Sequence, residues 1–284
     1  MNNMKHILVT GVPRSGSTLV CQLLNTVHNV VVLDEPLEMS YGAYHLSDDD
    51  FMLVIKKQLS EWREVILRDG IAISVQADNR ITQHYSNDFN YKGLRDRIVE
   101  CDYIRINKPL TSNFILVVKQ LLAFSLHLKH LVKRYPMFGI VRNPLAVLSS
   151  LSTLSAWEKG YLHHYQSLAP DMVKTWEAIE DKVDRLIAVV SIYYEACLPL
   201  LKEDRIIYYE ELVATQGQIL EMIVPLSDLS DWSIENKNNN HMYNPETMLR
   251  IGEKLLNASG AFWDFYSQES VVDLMEKAES NFVS

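Results

Sequence analysis

The chain has 284 residues, long enough for one large α/β domain and too long for a small stapled scaffold. Hydrophobic residues make up 48% and charged residues 22%, which excludes a disordered chain. Acidic residues number 36 against 27 basic ones, a net charge of −9, which argues against general binding to nucleic acid or an anionic membrane and leaves room for a local basic pocket.

The N-terminal segment runs directly into a β-rich stretch, His6–Val12, and its apolar part is too short for a secretory signal. A Gly/Pro/Ser segment follows and opens a helix from Ser17 to about Asn25. Val30–Leu33 reads as a second strand, ended by Asp34-Glu35-Pro36, and Phe51–Arg68 as a helix stopped by Asp69-Gly70. Tyr103–Asn107 reads as a third strand, ended by Lys108-Pro109. Phe114, Val117, Val118, Leu121, Phe124, Leu128, Leu131 and Val132 recur at spacings of three and four, which predicts a helix across that stretch. Lys119, Gln120 and His127 interrupt its apolar run, so it does not read as a membrane span.

Met137–Val141, ended by Arg142-Asn143-Pro144, is a fourth strand leading into a helix, and Arg205–Tyr209 is a fifth. Asp171–Leu201 predicts one or two long helices closed by Pro199, with late helices at Gly217–Val224 and Val271–Ser280. This alternation predicts an α/β fold, a three-layer sandwich with a central, mainly parallel sheet, as one domain over 1–284 with substrate-side excursions at about 37–100 and 151–200. Cys21, Cys101 and Cys197 show no paired spacing and read as buried thiols in a reducing, cytoplasmic compartment.

The segment Gly11-Val12-Pro13-Arg14-Ser15-Gly16-Ser17-Thr18-Leu19 carries the most chemistry. A glycine-rich turn between strand and helix presents backbone N–H groups and the positive end of the helix dipole, a cradle for phosphate. Its spacing matches a nucleotide-triphosphate loop except that Ser17 stands where the lysine would be, which weakens a kinase or ATPase reading. Arg14 places a guanidinium in the loop, suited to phosphate or sulfate oxygens. Arg142, at the end of a strand and followed by Ser150, suggests a second phosphate site.

These residues resemble the sulfotransferases that use 3′-phosphoadenosine 5′-phosphosulfate, in motif style closest to the Golgi carbohydrate and tyrosylprotein type. Gly11–Leu19 resembles their 5′-phosphosulfate loop, Arg142 with Ser150 their 3′-phosphate motif, and Tyr208-Tyr209-Glu210-Glu211-Leu212 a segment after a late strand. The resemblance implies a P-loop-like sulfotransferase domain and that phosphosulfate donor, with no metal. It implies donor binding by Pro13, Arg14, Ser15, Gly16, Ser17, Thr18, Arg142, Ser150 and Tyr209.

Sulfuryl transfer to a hydroxyl needs a base, a fixed donor and positive charge on the leaving phosphate. Glu35, preceding Pro36, is the candidate base, as in relatives with a glutamate there; Asp34 competes, and adjacent strand residues should face opposite ways. Lys108 and Arg14 are the expected charge-neutralising pair, Lys108 by resemblance to the tyrosylprotein enzymes. Lys237, Arg250 and Lys254 are the alternatives for completing the 3′-phosphate site. The expected partner is a small-molecule or carbohydrate hydroxyl acceptor, with Tyr41, Tyr44, Trp62, Trp157 and Tyr161 as stacking candidates. A P-loop phosphotransferase and a non-catalytic nucleotide-binding module remain the competing readings.

Overall fold

The computed structural model describes residues 5–39, 46–155, 170–226 and 232–283. Five strands form one parallel sheet in the order β2-β7-β1-β8-β9: β1 His6–Gly11, β2 Val30–Asp34, β7 Ile115–Lys119, β8 Met137–Val141 and β9 Ile206–Tyr208. β1 is central, paired to β7 on one side and β8 on the other. The strands are apolar on both faces because helices cover both, as a buried parallel sheet requires.

The phosphate-loop helix α1 covers Ser17–Leu24. Helix α2, Asp48–Asp69, starts at Ser47, whose hydroxyl accepts from the Asp50 N–H, and stops at Gly70 in the left-handed region (φ 66). After β7 come two short helices, α3 Leu121–Leu126 and α4 Leu128–Leu131. Helix α5, Pro144–Ser152, is capped by the Asn143 side chain, which accepts from the Leu145 N–H, with Pro144 in the first turn. The later helices are α6 Pro170–Glu177, α7 Lys182–Lys202, α8 Tyr209–Ala214, α9 Pro245–Leu256 and α10 Gln268–Val283.

Four expectations need correction. The stretch from Phe114 opens not as a helix but as β7, because Ile115-Leu116-Val117-Val118 is continuously apolar and such a run satisfies helical and strand spacing alike. The run at 103–107 is not in the central sheet. It belongs to β6, Glu100–Arg105, which pairs antiparallel with β3, Ile71–Gln76, and is exposed along most of its length. Pro199 lies inside α7, which runs on to Lys202. The Gly217–Val224 stretch forms a short 3₁₀ turn, Gln218–Met222.

The first excursion holds α2, the β3–β6 pair and a hairpin of β4 Tyr85–Phe89 with β5 Arg95–Arg97. Because all five central strands are parallel, their carboxyl ends share one edge, and the residues that follow each strand converge there. Gly11 allows the tightest approach at this edge: its φ is 146, and a Cβ would stand 2.2 Å from the Ile140 carbonyl oxygen.

Candidate active site

A cavity of about 530 Å³ opens at the carboxyl edge of the sheet. One wall is the phosphate loop, through Pro13, Arg14, Gly16, Ser17, Thr18 and Leu19. A second wall carries Glu35 with Lys119, Gln120, Leu121 and Leu122, the ends of β2 and β7. The β4–β5 hairpin adds Gln83, His84, Tyr85 and Arg97, and Arg142, Tyr209 and Lys237 close the far side.

The loop is a turn into α1. The Ser15 N–H donates to the Val12 carbonyl at 3.2 Å, and Gly16 occupies the N-cap at φ 91 with no side-chain cap. The first N–H groups of a helix have no partner within it, and here they start at the cavity. Ser15 itself is fully buried behind the loop, off the cavity lining, and its hydroxyl has no hydrogen-bond partner. The Tyr209 ring packs on Gly16, where a Cβ would meet the ring carbon Cδ2 at 2.8 Å.

Arg14 has positive φ (63) and donates from Nε to the Ser150 hydroxyl at 3.0 Å, with its guanidinium 5.4 Å from the centre of the Tyr85 ring. Ser150 is therefore held by Arg14, behind the cavity surface. Arg142, only 5% exposed, is the tie-point of the far side. It donates from Nε to Asn238 Oδ1 at 2.7 Å, from Nη1 to the Arg14 carbonyl at 3.0 Å, and from Nη2 to the Lys237 carbonyl and, at 3.4 Å, to the Tyr243 hydroxyl. Its guanidinium also lies 4.5 Å from the centre of the Tyr209 ring. Burial pushes the Tyr243 phenol up, but Arg142, a hydrogen bond to Ser150 and Arg14 outweigh it and lower its pKa.

Glu210 anchors this network from behind. Its carboxylate accepts from Asn238 Nδ2 and the Tyr266 hydroxyl, each at 2.7 Å, and from the Asn143 N–H at 3.1 Å. The Tyr209 hydroxyl donates to the Glu235 carbonyl at 3.1 Å and accepts from the Lys237 N–H at 2.9 Å, which seats the 235–237 segment beside the loop.

On the opposite wall Lys119 stands between two carboxylates, 2.7 Å from Asp34 Oδ1 and 2.9 Å from Glu35 Oε1. Asp34 and Glu35 do not face opposite ways. Glu35 has φ 49, which breaks the strand alternation and brings both carboxylates to one ammonium. Glu35 also accepts from Gln120 Nε2 and from the Leu121 N–H at 3.3 Å. Asp34 is fully buried and makes a second contact, 2.9 Å from Oδ2 to His84 Nε2. Burial alone would raise its pKa, but Lys119 and His84 hold the carboxyl well below the usual range; the Asp34 and Glu35 charges likewise keep the buried Lys119 ammonium charged to unusually high pH.

The structure does not bring Lys108 to the cavity. Its ammonium donates to the Asn25 carbonyl at 2.5 Å and the Val27 carbonyl at 3.3 Å, at the end of α1 away from the phosphate loop, and burial pushes its pKa down to about 8. The reason is the strand assignment: β6 lies outside the central sheet, so its end is not at the common edge. Lys119, which ends the strand between β2 and β1, occupies the wall instead.

Of the C-terminal cations, Lys237 lines the cavity, whereas Arg250 and Lys254 pair with Asp181 and Asp184. Trp62 is buried in the core; Tyr41, Tyr44, Trp157 and Tyr161 lie outside the described residues. Sequence reading missed Lys119, Gln120, His84, Asn238 and Tyr243. Lys119 had a signal, a charged residue closing a β-branched run as Asp34 and Arg142 close theirs; His84 and Tyr243 had none.

The fold and site define a parallel α/β protein with a P-loop-like turn between β1 and α1, whose neighbouring strand ends carry cations and a carboxylate facing one cavity. A family model described as the sulfotransferase family matches residues 6–234, and the chain belongs to that family. A search among curated proteins returned no significant match.

Proposed function

We propose that this protein transfers a sulfuryl group from 3′-phosphoadenosine 5′-phosphosulfate to the hydroxyl of a small-molecule or carbohydrate acceptor. The observation that carries this reading is that the phosphate loop, Arg142 and the Glu35–Lys119 pair open into one cavity. The donor set suits such a group: Arg14, Arg97, Lys119, Arg142 and Lys237 are cavity cations, set against Glu35 and Glu235. Among the described residues no cluster of His, Cys, Asp or Glu has metal-holding geometry, and no helix is long and apolar enough to cross a membrane.

The donor, when bound, supplies an activated sulfuryl group on a phosphate leaving group. The loop N–H groups from Gly16 to Thr18, with Arg14, hold the 5′ side; Ser15 sets the turn from behind. Arg142 holds the loop by its backbone and with Lys237 forms the basic shelf for the 3′-phosphate, with Ser150 and Tyr243 packed behind it. Tyr209 walls the space between.

Glu35 takes the acceptor proton. Lys119, Gln120 and the Leu121 N–H fix its carboxylate, so it meets an incoming hydroxyl with no side-chain rearrangement. Arg14 faces charge developing on the leaving phosphate.

The test is incubation with the phosphosulfate donor and a panel of phenols, alcohols and sugars, read by mass spectrometry for sulfated product and adenosine 3′,5′-bisphosphate. Calorimetry should detect adenosine 3′,5′-bisphosphate binding that Arg14→Ala weakens. No binding, and no product across the panel, would overturn the reading.

A further inference from the structure

Four side chains on the acceptor wall form one continuous chain. Glu35 Oε1 lies 2.9 Å from Lys119 Nζ, Lys119 Nζ lies 2.7 Å from Asp34 Oδ1, and Asp34 Oδ2 lies 2.9 Å from His84 Nε2. The first three carry two negative charges and one positive, which leaves one negative charge over. Asp34 is fully buried and the Lys119 side chain is 1% exposed, so the excess sits where water screens it poorly. The imidazolium form of His84 brings the chain to neutrality.

His84 is also fixed in place. Its carbonyl accepts from the Ile98 N–H at 3.0 Å, and the next residue, Tyr85, pairs with Arg97 across the hairpin and packs against the Arg14 guanidinium. With Nε2 committed to Asp34, Nδ1 is the ring nitrogen left for a ligand, and the side chain keeps 14% exposure on the cavity wall. A buried carboxylate orienting an imidazole whose other nitrogen is free to act recurs in acid–base sites.

We propose that His84 is a catalytic residue of the reaction inferred above. It acts as the imidazolium, held by Asp34 through Nε2–H, and donates from Nδ1–H to the oxygens of the sulfuryl group in transfer. Lys119 alone does not supply this positive charge, because its own is shared between two carboxylates. Glu35, Lys119, Arg14 and Arg97 are charged groups lining the same cavity; the direct contact to the ring is the one from Asp34.

The proposal rests on the sulfuryl-transfer reading but is testable without knowing the acceptor. The protein is saturated with adenosine 3′,5′-bisphosphate, and inorganic sulfate is titrated in by calorimetry as a stand-in for the transferred group, between pH 5.5 and 9. The expected result is sulfate binding that weakens as pH rises in the wild type. In His84→Gln it should be weaker by about 10–100-fold at low pH, the value of one charge-assisted hydrogen bond, and insensitive to pH. His84→Lys should restore sulfate binding at neutral pH, with bisphosphate affinity unchanged in both variants. Sulfate binding in His84→Gln equal to the wild type, with the same pH dependence, would overturn the role of His84 alone. Failure of the wild type to bind the bisphosphate would overturn the donor reading and this role with it.

Discussion

The Arg142 guanidinium donates from Nη1 to the carbonyl oxygen of Arg14 at 3.0 Å, so the end of β8 holds the phosphate loop by its backbone. The same guanidinium binds Asn238, Lys237 and Tyr243, which makes it the junction between the loop and the 237–243 segment. A lysine offers one ammonium in place of this planar fork. Arg142→Lys should therefore lower stability by about 2–4 kcal/mol, through stranded buried acceptors, and weaken bisphosphate binding by at least tenfold. Urea unfolding and calorimetry measure the two effects, and unchanged values in both would contradict the junction role.

Lys119 and Lys108 separate a buried site lysine from a structural one. Lys119→Met leaves two carboxylates without their shared cation and should cost about 3–5 kcal/mol, a large share of a typical domain's stability. Lys108→Met should cost only about 1 kcal/mol, through carbonyls at the end of α1 that lose a donor, and leave bisphosphate affinity within about twofold. Chemical denaturation of the two variants side by side checks the order.

Acid should destabilise the fold through Asp34. Its folded-state pKa is depressed, so its stabilisation is complete above the ordinary carboxylate pKa of about 4 and is lost as the pH falls below it. Lys119 is shifted the other way: its pKa is raised, so its stabilisation persists from neutral pH down and is lost only in alkali, above about pH 10. Urea midpoints followed downward from pH 7 should show no loss from this group until about pH 4 and fall below it in the wild type. In Asp34→Asn they should start lower and fall less steeply.

Gly16→Ala should damage the phosphate loop. The residue sits at φ 91, and a Cβ there would press on the Tyr209 ring at 2.8 Å. The left-handed strain alone is about 1–2 kcal/mol, and displacing Tyr209 would also loosen its hold on Glu235 and Lys237. Loss of bisphosphate binding at retained helical circular dichroism is the expected signature.

Much of this architecture was legible in the chain. Four of the five central strands were readable, and three of them, with the phosphate loop, Arg14, Glu35 and Arg142, stand beside glycines and prolines that mark strand ends, and such punctuation is local. β7 was not legible, because Ile115–Val118 is apolar at every position and periodicity then carries no information. Lys119 was lost with that strand, and Lys108 took its place for the same reason.

The sequence alone determined the loop conformation and the parallel α/β plan, because both follow from backbone preferences and hydrophobic pattern within short windows. Only the tertiary structure decided which lysine joins Glu35, that Asp34 and Glu35 share one cation, that His84 comes to the cavity, and that Asn238 and Tyr243 pack behind it on Arg142. Those facts depend on strand order and on side chains tens of residues apart packing at one sheet edge, where charge neutrality among buried groups selects the partners.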